Sequence, residues 1–592
     1  MASKRLFIHA CAVVLLLRLC LPVLLGDGFT YISEIYCNYL TAILIFCLSF
    51  LFILHKFFHK EAVILSRVDV PIGLSLLAAV LSLAHSVNFS MSLNAVFVFL
   101  SGILLFYILH DSLEDEASFH IFWRYFFAGA LVVSIVGIWE YFLAQHPLSI
   151  EVRRVLNNFD EGTNRGFHYK RIASLFDWPN VLAGFQMLVL PITWAGFMLA
   201  QKRWQKICLG GSILLFLVVF LFTFSMMGVL GFFLVSLLFL PQVLKISQQK
   251  NEGKFSFWVV GIGVLLFILI ILTVRNNFDV SPRLDYLRQA FCLLKAHPFW
   301  GTGPDTFPIV STPYVTQRLG FSAYVHNSYL QIWVENGFLG FIGVLALIGV
   351  FILTALKVLQ RVKVHTDRII FIALIWAMTA FFIDNLSNFT MLRPNMSLFW
   401  WAILAVFFAF ERNRAGDYLE NQHRAIVVGM RMGVGGLLVL SVLLFFLVRM
   451  SLSLLAYNQG VYYFNKYKSE AEVLFPGQKV KPGGLNKDVF KTIALDISLA
   501  EDFFNQSIQL NPFECNYPQA RADVFLQKYF LTKDIQYLEM AQKNYEQALR
   551  ISPYSYKIYI NCRNIAILKK DPAFAKKLFD DAVLLCPMLK KS

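Results

Sequence analysis

Runs of about twenty consecutive apolar residues recur along most of this chain, and they decide its class before any motif is read. A helix of that length crosses ~30 Å of hydrocarbon. Lipid offers the backbone no hydrogen-bond partner, so each run has to be a helix rather than a strand of an open sheet. About thirteen such runs can be marked, the first near 6–26, the ninth near 256–274 and the last near 425–450. The averages agree: 58% of residues are hydrophobic, 15% are charged and the mean hydropathy is +0.61, where a soluble chain carries roughly a quarter charged residues. The sequence therefore reads as an all-α polytopic membrane bundle. Its first run, Leu6 to Leu25, follows Lys4 and Arg5 as in a signal peptide, but no A-x-A cleavage site follows, so it reads as a retained span.

A net charge of +15 suggests nucleic acid at first sight. The basic residues instead sit mostly in short loops between apolar runs, where they orient a chain in the membrane, and no nucleic-acid partner is expected. With the N-terminus in the cytoplasm, the cytoplasmic loops carry Lys202, Arg203 and Lys206, then Lys357, Arg361, Lys363 and Arg368, then Arg412, Arg414 and Arg424. One loop, 110–121, is acidic (Asp111, Glu114, Asp115, Glu116) and reads as a solvated loop. The same topology puts loops 145–178 and 275–327, and everything after about residue 451, outside. Nine cysteines include no CxxC pair and no zinc-site spacing, so neither metal nor cofactor is expected. A disulfide among Cys515, Cys562 and Cys586 stays open.

From Asn458 the composition turns polar and amphipathic. Three segments echo one another and end in Pro512, Pro553 and Pro587; the last two prolines are 34 residues apart, the tetratricopeptide period. A small residue in each (Ser507, Ala548, Ala582) lets paired helices approach, and each proline ends a helix. The expected organisation is a transmembrane domain over 1–455 and an outer tetratricopeptide-like domain over 456–592 that takes a protein partner on a concave face.

Chemistry-bearing residues gather in the outer loops. The first loop ends in Arg171-Ile172-Ala173-Ser174-Leu175-Phe176-Asp177-Trp178-Pro179-Asn180 and runs straight into a span. The second holds Arg283 and Arg288, then His297-Pro298-Phe299-Trp300-Gly301-Thr302-Gly303-Pro304-Asp305-Thr306-Phe307, and closes on His326-Asn327-Ser328-Tyr329-Leu330-Gln331 with Glu335-Asn336-Gly337 beyond. In these three pieces, taken in order, the chain resembles the O-antigen ligase and O-antigen polymerase superfamily of bacterial envelope enzymes, over roughly residues 30–415.

The resemblance implies a membrane-embedded glycosyltransferase of GT-C-like fold in the bacterial inner membrane, with its active site on the periplasmic face. Its donor would be a glycan on undecaprenyl diphosphate, and its acceptor a glycan, lipid A-core or a protein hydroxyl, with inversion at the anomeric carbon and without a metal. It implies Arg283 as diphosphate ligand, His326 as base or acceptor-positioning group, Arg171 as a second cation and Arg288 as an accessory contact. Guanidinium groups grip phosphate bidentately, and an imidazole titrates near working pH. The family often carries an Arg at the short outer turn that here reads Thr223-Phe224-Ser225-Met226-Met227-Gly228, without a cation; Arg171 is the candidate replacement.

Each residue has a plainer reading. Arg171 and Arg283 could touch lipid headgroups, and His326 could satisfy orphan amides at a helix start. Glu335 reads as a packing group, and Asp384 as an ion-pair partner of Arg393. Two other functions stay in view: a glycosyltransferase using a lipid monophosphate sugar with Asp27 or Glu34 as a carboxylate base, and a transporter or flippase with a repeat docking domain.

Overall fold

A computed structural model describes residues 2–24, 31–143, 171–249, 281–316, 321–415, 425–427, 430–474 and 487–590. The expected span at 256–274, most of loop 145–178, Asp27 and the side chain of Glu34 lie outside the described residues. The membrane part consists of α1 (Ala2–Leu24), α2 (Tyr31–His59), α3 (Asp69–Ala84), α4 (Phe89–Ser112), α5 (Glu116–Leu143), α6 (Pro179–Leu199), α7 (Arg203–Phe222) and α8 (Met226–Gln249). After these come α9 (Ser281–Ala296), α10 (Ser328–Arg361), α11 (His365–Asp384), α12 (Pro394–Ala415) and the 45-residue α13 (Met430–Leu474). The tail adds α14 (Lys487–Leu510), α15 (Asn516–Thr532), α16 (Ile535–Ile551), α17 (Tyr556–Leu568) and α18 (Pro572–Leu585).

Among the described residues nine helices are long and apolar enough to cross a membrane, and α3 and Met226–Phe239 are shorter apolar helices. The chain is an all-α multi-pass membrane protein. Its buried heart is α6, α11 and α12, whose side chains are almost wholly packed away, with α7 and α8 on one side and α3, α4 and α10 on the other.

The end of the bundle opposite the candidate site is a lattice of charges. Lys56, 1% exposed, meets Asp111, 0% exposed, at 2.6 Å. Arg5 pairs with Asp115 at 2.6 Å and Lys4 with Glu114. Arg412 donates to the carbonyls of His110 and Leu113 at 2.6 and 2.9 Å. The acidic loop 110–121 is thus not simply solvated: its carboxylates neutralise basic groups brought together from α1, α2 and α12. Beside it a two-stranded antiparallel ribbon pairs Ala62–Ile64 with Ala425–Val427.

The tail forms three antiparallel helix pairs: the end of α13 with α14, α15 with α16, and α17 with α18. Ser507, Ala548 and Ala582 are all fully buried at the crossings. Cys515, Cys562 and Cys586 are free thiols, so no disulfide links them. The pairs fold back on the membrane part. Ser90 Oγ donates to Glu514 at 2.8 Å, Phe513 packs on Phe89 at 5.0 Å between ring centroids, and Arg449 holds the carbonyls of Gln509 and Leu510.

Candidate active site

α10 begins at a capped start. Asn327 Oδ1 accepts from the backbone N–H of Leu330 at 2.9 Å, the bond that an N-cap residue supplies. The capping role considered for His326 therefore belongs to its neighbour. His326 stands just outside the helix at φ 58, a region that a β-carbon makes costly and that recurs at functional sites. Its ring stacks on Tyr286 at 5.4 Å and meets the edge of Phe389 at 4.8 Å. The buried Nδ1 has no hydrogen-bond partner among the described residues.

Arg171 comes from the segment that leads into α6. Its Nε donates to Thr223 O at 2.8 Å and its Nη2 to Asn180 Oδ1 at 2.7 Å, and Ile172 N bonds Phe222 O alongside. The guanidinium thus rests on the very turn, 223–228, that lacks a cation of its own. From Arg171 the bonds run head to tail: Asn180 donates to Asn388 at 3.1 Å, and Asn388 donates to Asp384 at 2.6 Å. Asp384 also accepts from Thr390 at 2.9 Å and feels the charge of Arg283.

Arg283 projects from the first turn of α9, one turn before Tyr286. Burial depresses its pKa, with Asp384 and Tyr286 opposing. Burial and then the like charge of Arg283 bring Arg171 down to about 10. His326 is pushed down to about 4, first by burial and second by Arg283. At neutral pH the imidazole is accordingly neutral, with a lone pair to offer, while both guanidinium groups stay charged.

Three of the four expected site residues therefore gather at the starts of α6, α9 and α10, where the charge of Arg283 is felt by both Arg171 and His326. Arg288 does not join them. It pairs with Asp285 at 3.1 Å and donates to Tyr314 O, which fixes the loop after α9. The pair expected between Asp384 and Arg393 is replaced by other partners. Arg393, 6% exposed, binds Asp177 and the Tyr324 hydroxyl, while Asp384 takes Asn388, Thr390 and the field of Arg283. Asp177 also meets Asn395, and Asn395 and Asn38 accept from Arg18, 2% exposed, in α1.

Sequence reasoning missed Tyr286, Arg18 and the Asp177–Arg393 strut. Tyr286 had a signal, because it lies three residues after Arg283 and so shares its helix face. Arg18 also had one, as an ionisable group inside an apolar run.

The second loop reaches the site through a break in α10. At Gly337 (φ 71, ψ −176) the helix opens, and loop 298–307 enters: Thr302 N bonds Val334 O, Gly303 N bonds Glu335 O, and Phe338 N bonds Phe299 O. The Glu335 carboxylate takes the backbone N–H groups of Asp305 and Phe307 at 3.0 and 3.1 Å, with Gln331 at 3.0 Å. Glu335 is thus a loop anchor, as its packing reading anticipates.

No group of three or more His, Cys, Asp or Glu able to hold a metal occurs among the described residues. No curated protein matches the chain. Residues 180–345, which include Arg283, Arg288 and His326 but not Arg171, match the family model of the O-antigen ligase. That match supports a membrane glycosyl-transfer function of ligase type. The chain is thus a multi-pass membrane protein whose residues 180–345 match the O-antigen ligase family.

Proposed function

We propose that this protein transfers or polymerises glycan from undecaprenyl diphosphate onto an acceptor hydroxyl at the periplasmic face of the inner membrane, with inversion. The observation that carries the reading is the meeting of two half-buried guanidinium groups and a neutral imidazole whose Nδ1 has no hydrogen-bond partner among the described residues. Two like charges held together and partly removed from water are costly; a diphosphate between them relieves that cost. In the reaction the acceptor oxygen bonds to the anomeric carbon as the bond from that carbon to the phosphate oxygen breaks. The diphosphate leaves with the electron pair, against Arg171 and Arg283, and the hydroxyl proton passes to His326. Binding the anion also offsets one of the two causes that depress the imidazole, so the base strengthens once donor is in place. Guanidinium groups carry the charge neutralisation in this scheme, without a metal. The acceptor can be a glycan, lipid A-core or a protein hydroxyl, and the helix pairs of the tail, a tetratricopeptide-like domain, offer a surface to a protein partner. The proposed division at 455/456 falls inside α13, which both parts share.

The test uses the full chain in nanodiscs with donor and acceptor extracted from the host. His326→Ala should stay folded and lose transfer by about 10²-fold or more. Arg283→Lys, which keeps charge but not the bidentate fork, should lose most activity. Wild-type rates in both variants would overturn the assignment.

A further inference from the structure

Below loop 301–307 the bundle encloses a cavity of about 340 Å³, walled by α3, α4, α10 and α12. It is not the arginine pocket: Arg171, Arg283 and His326 do not line it. Tyr324 does, and Tyr324 stacks at 4.2 Å on Phe389, whose ring also meets His326. A single phenyl ring thus links the cavity wall to the imidazole.

The lining has two properties that point to one kind of ligand. First, it combines flat aromatic faces with amides: Trp178, Tyr324 and Trp400 line it together with Asn38, Asn94 and Asn336. Aromatic faces take the C–H side of a sugar ring and amides take its hydroxyls. The buried Oδ1 atoms of Asn94 and Asn336 have no hydrogen-bond partner among the described residues, and buried polar atoms are rarely left so. Asn94 lies five residues into α4, about 8 Å below its start at 1.5 Å per residue, deep enough that an unpaired amide is costly. Second, the one guanidinium lining the cavity, Arg393, is already held by Asp177, and the other carboxyls in the lining are those of Asp305 and Glu335. Such a lining offers a phosphate no cation that is not already engaged by a carboxylate, whereas the arginine pair attracts one.

We infer that this cavity is the acceptor subsite of the transfer, and that it takes an uncharged or amino-bearing sugar in preference to a phosphorylated headgroup or a protein side chain. The inference rests on the transfer reading and adds to it where the acceptor sits and which class it belongs to. The diphosphate then sits by the arginines and the sugar by the amides, with Tyr324 and Phe389 between the cavity and His326.

The test is photolabelling of the full chain in nanodiscs with a decyl glucoside bearing a diazirine next to the ring. Unlabelled decyl glucoside and decyl phosphate serve as competitors, and labelled peptides are mapped by mass spectrometry. Label is expected in 91–99 and 331–347, cut at least fivefold by the glucoside and unchanged by the phosphate. Asn94→Leu with Asn336→Leu should lower the yield a further fivefold while the protein stays monodisperse. Label elsewhere, equal competition by decyl phosphate, or undiminished label in the double variant each overturns the inference. The competition arm needs no variant, so misfolding cannot mask the answer. Loss of glycan transfer in Arg283→Lys is read separately: if transfer depends on Arg283 but the glucoside does not label the cavity, the acceptor subsite falls and the transfer reading stands.

Discussion

Replacing Gly337 by alanine should destabilise the protein by about 2–6 kcal/mol, and the break in α10 explains why. At φ 71 and ψ −176 the residue occupies a region essentially reserved for glycine, and a β-carbon there costs about 1–3 kcal/mol. That β-carbon would also lie 2.0 Å from Phe299 O and 2.8 Å from two backbone carbons. The chain at 299–300 has to retreat, and the bond from Phe338 N to Phe299 O is lost in a buried setting, at a further cost of about 1–3 kcal/mol. Gly349, in the same helix, has nothing within 4 Å of a built β-carbon. Gly349→Ala should therefore be neutral or gain up to ~1 kcal/mol from helix propensity. Equilibrium unfolding of both variants in matched bicelles gives the comparison directly. Should Gly337→Ala unfold within 1 kcal/mol of Gly349→Ala, the break is not a built feature, and its role in seating loop 298–307 is wrong.

The remaining predictions concern the site and the opposite end of the bundle. Because His326 is pushed down to about 4, kcat/KM should stay level from pH 8 to about 5 and fall below that, where an ordinary imidazole would turn over near 6.5; an acid limb at 6.5 refutes the buried, arginine-flanked setting. The same shift makes the folded chain bind its proton later than the unfolded one, so stability due to this group is lost as pH falls from 6.5 towards 4, and His326→Phe should flatten the melting temperature across that window. Asn327→Ala should cost about 1 kcal/mol of stability as a lost cap, whereas His326→Ala should cost less and remove transfer; the reverse pattern in unfolding and activity assays would exchange their roles. Lys56→Met leaves Asp111 buried without its partner and should cost about 3–5 kcal/mol, largely restored by Asp111→Leu in the double variant, as unfolding of all three would reveal.

Much of the bundle is legible because lipid imposes one rule on every apolar run. Nine of the thirteen expected spans appear as long apolar helices, α3 and α8 as shorter ones, and α1 as a helix carrying Arg18. The tail is legible for a different reason: Ser507, Ala548 and Ala582 mark helix crossings, and crossings tolerate only small side chains. The acidic loop was not legible, because its neutralising partners come from residues 4, 5, 56 and 412, and charge pairing has no period in sequence. For the same reason Asp384 was matched to Arg393 by nearness along the chain, while the fold gives Arg393 to Asp177, more than two hundred residues away. The break at Gly337 looks in sequence like one more glycine in an apolar run. Only the backbone of loop 298–307, arriving from outside the helix, distinguishes it from Gly349.

The uninterrupted course of α13 has a mechanical consequence. At 1.5 Å per residue its 45 residues measure about 68 Å, so the tail is mounted on a shaft rather than hung from a linker. Twist or tilt imposed on the membrane half of the shaft arrives at α14 undamped. Force applied to the tail has leverage on α2, which lies along the same shaft, and through α2 on Asn38 in the wall of the cavity. The tail and the wall of the cavity thereby share one continuous helix as their mount.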